Sequence, residues 1–225
     1  MTFLLVPGAG GSGINWYRVA AELEACGHRA VSVDLPAGDE DAGLAAYADA
    51  IVEAAGAATG ITLVAASLAG FSAPLACARL DVRSLVLVNA MIPRPGETAG
   101  DWWADTGQVE AQTARARAEH RTVSDPFDAL EEFFHDVPET VREVVFSAHE
   151  PRQASRPFAD PWPLRAWPPV PTRVLSGRDD RFFPLSFQQR VARDRLGLEP
   201  EVLSGGHLLA LSRPKELVAS LLRPR

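Results

Sequence analysis

The chain has 225 residues, 47% hydrophobic, 23% charged and 8% aromatic; this length and composition suffice for one sizeable core without disulfide or metal support and exclude a disordered or coiled-coil protein. Its 22 basic residues against 29 acidic ones leave a net charge of -7, the wrong sign for neutralising a nucleic-acid backbone. No apolar run approaches the roughly 20 residues that span a bilayer, the start MTFLLVPGAGG carries no basic leader, and Cys26 and Cys77 lie outside any C-x-x-C pattern and read as small buried thiols, so a soluble, unsecreted, cytoplasmic protein is expected.

The first third alternates short β-rich runs with Ala-rich stretches of helical period. Strands are expected over residues 2–6, 30–34, 61–65 and 84–89, with helices near 15–26, 42–57 and 68–79. The strands are nearly continuous Val, Leu and Ile, the pattern of a parallel sheet covered by helices on both faces. After the first strand, Gly8, Gly10 and Gly13 fit G-x-G-x-x-G, and Asp34 ends the next strand. One reading is a dinucleotide site, with the pyrophosphate at the helix N-terminus and Asp34 on a ribose hydroxyl. The other is a loop, Pro7-Gly8-Ala9-Gly10, whose backbone N–H groups face an oxyanion, with Asp34 merely closing a turn. The local sequence leaves both open. Trp16 and Tyr17 open the first helix and are expected to pack near this loop.

The third strand runs into Ala65-Ala66-Ser67-Leu68-Ala69-Gly70 and then a helix. A serine on a sharp strand-to-helix turn flanked by small residues is the pattern of a nucleophile elbow, G-x-S-x-G, here with Ala65 and Ala69 in place of both glycines. The bland alternative is a serine capping a buried helix. From residue 92 to 171 β-rich runs are scarce, and tryptophans and phenylalanines are interspersed with charges and prolines. A helical insertion is expected, with amphipathic pieces over 107–121 and 126–149 and a Pro-rich connector from 151. The rhythm then resumes with strands at 172–175 and 200–203 and helices at 184–195 and 213–222. Asp179 and Asp180 follow the first of these strands, and His207 follows the second in Ser204-Gly205-Gly206-His207. Serine, acid and histidine thus all lie just past the carboxyl ends of strands, the edge where functional groups gather in an open parallel sheet. Their chain order is that of the α/β-hydrolase arrangement. His135-Asp136 lacks a second ligand pair, so no metal is expected, and Lys215, the sole lysine, reads as solvated.

On Pro7-Gly8-Ala9, Asp34-Leu35-Pro36, Ser67 in its turn, Gly177 to Asp180 and Gly205-Gly206-His207, the chain resembles α/β-hydrolase-fold serine esterases, similar to the branch of plant methylesterases and hydroxynitrile lyases. The resemblance implies a core of residues 1–91 and 172–225, with a mostly parallel sheet of about six strands, and residues 92–171 as a helical cap and connector. It implies Ser67 as nucleophile, His207 as general base and Asp180, three residues after Gly177, as the acid in preference to Asp179. It also implies Ala9 and Leu68 as backbone donors of an oxyanion hole. The family's usual His-Gly is Pro7-Gly8 here. Hydroxynitrile lyases of this kind carry a lysine directly after the histidine, where this chain has Leu208, so ester hydrolysis is expected. A serine at position 67 also disfavours the dehalogenases and epoxide hydrolases, whose nucleophile is a carboxylate. Gly10, Trp102, Trp103, Phe134 and Leu208 are candidates for the substrate pocket, although each aromatic reads more readily as part of the cap's own core. The expectation is a cofactor-free hydrolase of a small or medium apolar ester. Its partner would be that small molecule, with no nucleic acid or membrane, and a homodimer is left open. Two alternatives remain: an NAD(P)-dependent oxidoreductase using the glycine run, and a non-catalytic ligand-binding protein of the same fold.

Overall fold

In a computed structural model that describes residues 1–148 and 152–223, the apolar runs become six parallel strands. These are β1 (Thr2–Val6), β2 (Arg29–Ser32), β3 (Ile61–Ala66), β4 (Val82–Val88), β5 (Thr172–Gly177) and β6 (Glu201–Leu203), in the order β2-β1-β3-β4-β5-β6. Leu4 lies beside Leu63, and Leu63 beside Leu85. Side chains of successive residues enter opposite layers. Leu4, Val6, Leu63 and Leu85 pack under α2 (Leu44–Ala55), α3 (Ala69–Ala76) and α9 (Leu185–Leu196). Phe3, Leu5, Val64 and Val86 pack under α1 (Tyr17–Ala25), α10 (Leu209–Ser212) and α11 (Pro214–Leu221). Both faces are dry, which explains why the strand sequences do not alternate between apolar and polar. Among the described residues, no helix is long and apolar enough to cross a membrane.

Between β4 and β5 the chain forms α4 (Ala99–Thr106), α5 (Gln108–Ala118), α6 (Ala129–Glu132), α7 (Glu139–Ala148) and α8 (Arg156–Ala159). The first of these is absent from the sequence expectation, although its ends carry clear signals. The Thr98 hydroxyl accepts the Asp101 N–H at 2.9 Å, and Gly107 stops the helix in the left-handed region at φ 63°. The single amphipathic piece expected over 126–149 is two helices, α6 and α7, broken at Phe133–Pro138; Pro138 has no N–H for a continuous helix. Residues 149–151 of that piece and of the connector lie outside the described residues, and the connector contains α8. A second correction concerns the cysteines. Cys77 is buried, and burial pushes its thiol up to about 12, whereas Cys26, just past the end of α1, is exposed.

The insertion shares the core of the sheet. Trp102 and Trp162 are both buried there, and their indole N–H groups donate to the carbonyls of Ile92 at 3.1 Å and Phe71 at 3.0 Å. Arg195 on α9 grips Glu97 with two nitrogens at 2.5 and 2.8 Å and also reaches the Ile92 carbonyl at 2.5 Å, with only 3% and 4% of the two side chains exposed. Removing one member of such a pair strands a dry charge. Glu97→Ala is expected to cost about 3 kcal/mol in urea unfolding, and a Glu97→Leu, Arg195→Met double variant to recover most of that loss.

Candidate active site

In the strand order, β1 separates β2 from β3, so the loops leaving β1 and β3 diverge to opposite faces. Such a crevice at the carboxyl edge is where ligands bind in open parallel sheets. Ala9 follows β1 and Ser67 follows β3, so both stand at this crevice. Ser67 has φ 50°, a left-handed conformation that costs a non-glycine residue about 1–2 kcal/mol and persists only where neighbours enforce it. Its N–H donates to the Val88 carbonyl at 3.3 Å, and its carbonyl accepts from Met91 at 3.0 Å and Gly70 at 3.1 Å. The alanines at 65 and 69 fit, both almost completely buried. The position that must be glycine is Gly70, where a Cβ would lie 1.7 Å from the Met91 carbonyl oxygen. Gly8 serves the other side, since a Cβ there would stand 2.8 Å from that of Ser67.

Ser67 Oγ lies 3.2 Å from His207 Nε2, and His207 Nδ1 lies 2.9 Å from Asp180 Oδ2. Asp180 is fully buried and also accepts the N–H groups of Phe182 at 2.9 Å and Phe183 at 2.8 Å. Asp179 points elsewhere, accepting the Gly205 N–H at 3.1 Å. Ala9 and Leu68 flank the serine, and among the described residues neither N–H has an acceptor. Gly10 donates to Gln153 Oε1 at 2.9 Å, and Gln153 in turn donates to the Tyr47 hydroxyl at 3.1 Å, so a residue of the connector braces this loop.

Asn89 was not singled out in the sequence, yet it joins the loops that carry acid and histidine. Fully buried at φ 44°, it accepts the Gly177 N–H at 2.7 Å and donates to the carbonyls of Gly206 at 3.0 Å and His207 at 2.8 Å. The available signal was a polar residue ending the apolar run of β4, in a residue type that tolerates left-handed backbone.

One cavity is lined by Ser67 itself, and a second adjoins it, sharing Ala9, Asn15 and Leu208 with the first. The first reaches inward past Ser67 and His207 to Trp16, Val88 and Ala210, with Phe133 at its wall. The second extends toward the insertion and is lined by Gly10, Ile14, Phe134, Val145 and Phe146. Leu208 borders both, and among the described residues no carboxylate, arginine or lysine lines either. The expectation for Trp102 and Trp103 is corrected, since neither lines these cavities. Trp102 is core, and Trp103 packs on Phe182 at 5.5 Å, which in turn meets the His207 ring at 5.4 Å. Asp34 accepts the Gly13 N–H at 2.7 Å, closing the glycine turn on itself. That use favours the turn-closing reading of Asp34 over ribose binding. Among the described residues no group of acids, histidines and cysteines could hold a metal.

His135, beside this site, is held below the usual histidine range, chiefly by burial and then by Arg181; Asp136, Asp180 and the Asp179 backbone partly offset this. A depressed value means the folded state refuses a proton that the unfolded state accepts. Its contribution is present in full above about pH 6.5 and is lost as pH falls through the lower folded value. The melting temperature of the wild type is therefore expected to fall more steeply between pH 7.5 and 5.5 than that of His135→Gln. At Asn89, truncation to alanine orphans one buried N–H and two carbonyls, and a loss of about 2–4 kcal/mol is expected in urea unfolding.

The geometry can be set beside known proteins. A family model described as "Alpha/beta hydrolase family" matches residues 3–221. Two rice proteins named "Probable esterase PIR7A", from Oryza sativa subsp. indica and subsp. japonica, are 37% identical over 110 residues, which is 44% of this chain and 42% of each rice protein. The aligned stretch thus spans about two fifths of the length of these curated relatives. Among solved structures, polyneuridine aldehyde esterase has a TM-score of 0.77 at 21% identity, covering 98% of this chain and 97% of its own. A methylesterase from Arabidopsis has a TM-score of 0.75 at 21% identity, covering 99% and 98%. An extracellular α/β-hydrolase from a Paenibacillus species gives 0.77 at 17%, also covering 99% and 98%. These structures share the fold, and with the family model matched from the first strand to the last helix, the chain belongs to the alpha/beta hydrolase family.

Proposed function

We propose that this chain is a serine hydrolase that cleaves a small or medium neutral, apolar carboxylic ester through a covalent acyl-enzyme. The observation that carries the reading is the hydrogen-bonded line from Ser67 Oγ through the His207 imidazole to the buried carboxylate of Asp180, at 3.2 and 2.9 Å. Ser67 Oγ attacks the ester carbonyl while His207 Nε2 takes its proton. Asp180 holds the imidazole in the tautomer with Nδ1–H and stabilises the imidazolium. The oxyanion of the tetrahedral intermediate lies against the N–H groups of Ala9 and Leu68, each worth on the order of 100-fold in rate or more. His207 then gives its proton to the leaving alcohol, and the acyl group stays on Ser67. In the second half, His207 removes a proton from water, the resulting hydroxide attacks the acyl carbonyl, and the acid leaves as the proton returns to Ser67.

Among the described residues no carboxylate, arginine or lysine lines either cavity, which supports a neutral substrate, since a buried ionic group there would lack a partner. The printed names of the rice proteins and of two structural neighbours, all esterases, agree with the reaction class. Leu208, where a lyase of similar sequence would carry a lysine, supports hydrolysis over cyanohydrin cleavage.

A fluorophosphonate probe tests the reading. Wild type is expected to take one label, on Ser67, and to hydrolyse short p-nitrophenyl esters. Ser67→Ala should take none, and His207→Ala should react on the order of 1,000-fold more slowly or less. A folded wild type that stays unlabelled and inert toward the whole ester series would overturn it.

A further inference from the structure

The segment between α6 and α7 touches both loops that carry the acid and the histidine. The Phe133 ring stacks on the His207 imidazole, with centroids 4.9 Å apart and planes inclined by 24°. Phe182 and Phe183 meet the same imidazole nearly perpendicularly, at 5.4 and 5.1 Å. Three residues on, Asp136 Oδ2 accepts the N–H of Gly206, the residue before His207, at 2.8 Å. On α6, just before the segment, the Glu131 carbonyl accepts from Arg181, directly after Asp180, at 3.0 Å, and its carboxylate accepts from the same side chain at 3.3 Å.

The fit at Gly206 is close. A Cβ there would lie 2.6 Å from His135 Nε2 and 2.8 Å from Asp136 Oδ1, and one at Gly205 would lie 3.0 Å from Asp136 Oδ2. Only a bare backbone lets the segment come this near. Among the described residues, His135 Nε2 and Asp136 Oδ1 are buried without a hydrogen-bond partner. An apolar residue of similar shape at position 136 would leave the Gly206 N–H unpaired, so the backbone just before His207 depends on an acceptor supplied by the insertion.

We propose that residues 131–136 form a clasp from the insertion that sets the orientation of the His207 imidazole, with Asp136 and Phe133 as its positioning residues. Asp136 fixes the backbone from which the imidazole projects, and Phe133 closes one face of the ring. Nδ1 is already taken by Asp180, so rotation of Nε2 away from Ser67 is blocked. On this view the insertion is part of the catalytic assembly, because lifting it would release the histidine loop. The proposal rests on the serine hydrolase reading for its catalytic consequence.

The test compares Asp136→Ala with Asp136→Asn, which keeps an oxygen to accept the Gly206 N–H, and Phe133→Leu with Phe133→Tyr. Fluorophosphonate labelling and p-nitrophenyl ester turnover are read beside amide hydrogen exchange of the peptide spanning residues 203–208. Asp136→Ala is expected to lower kcat about 10- to 100-fold, with KM within about twofold and faster exchange at 203–208 but not in β3 or β4. Asp136→Asn should recover most of the rate, and Phe133→Tyr should exceed Phe133→Leu. Wild-type kcat and exchange in Asp136→Ala would overturn the clasp, as would an Asn variant no better than the alanine one. An unlabelled, inactive wild type would sink the hydrolase reading itself. Exchange then decides the clasp alone: unchanged protection at 203–208 in Asp136→Ala overturns it, and local loss of protection upholds it.

Discussion

A single buried carboxamide holds together what the rest of the site requires. Asn89 stands where β4 ends, and its three hydrogen bonds reach Gly177, the last residue of β5 before the acid-bearing turn, and two residues of the histidine loop. The two loops are separated by a helix and a strand in sequence, so local propensity cannot set their distance. The sheet can, because β4 and β5 are neighbours and Asn89 N–H itself donates to the Leu175 carbonyl at 3.0 Å. Ser67 uses the same device one strand over. Ala66 of β3 pairs with Val88 of β4, so Ser67 and Asn89 are the next residues on adjacent strands, and both sit at positive φ. Strain at two adjacent strand ends is stored against a core that cannot yield.

Much of this was legible in the sequence. Strands buried on both faces announce themselves as unbroken Val, Leu and Ile, and the site residues fall just beyond those runs, which is why Ser67, the pair Asp179-Asp180 and His207 could be picked out; the resemblance chose Asp180, and His207 is found between it and Ser67. The misses have physical reasons. Gly70 is required by a carbonyl of Met91, a contact between segments that no spacing along the chain reveals. Asn89 works through hydrogen bonds to residues some ninety to 120 positions away. Phe133 and Trp102 have the same composition-level appearance, yet one stacks on the histidine and the other fills the core. Aromatic residues do both jobs, and only tertiary packing separates them.

The insertion illustrates that ambiguity as a whole. Its helices are short, and α5 is polar on nearly every side, so its placement comes from a few anchors. Two indoles sunk into the main core, the Arg195–Glu97 pair and the contacts of residues 131–136 hold it to the body. Buried polar anchors of this kind add little net stability but penalise any docking in which a partner is lost.

The exposed thiol of Cys26 has a practical side. In a parallel sheet the helix that follows a strand runs back against it, so the end of α1 lies at the edge opposite Ser67. Cys77 is shielded, with its ionisation pushed up to about 12. A thiol-selective reagent thus meets one accessible position, far from the crevice. Through it the protein can be tethered to a surface or given a fluorophore with the mouth of the site facing freely into solution.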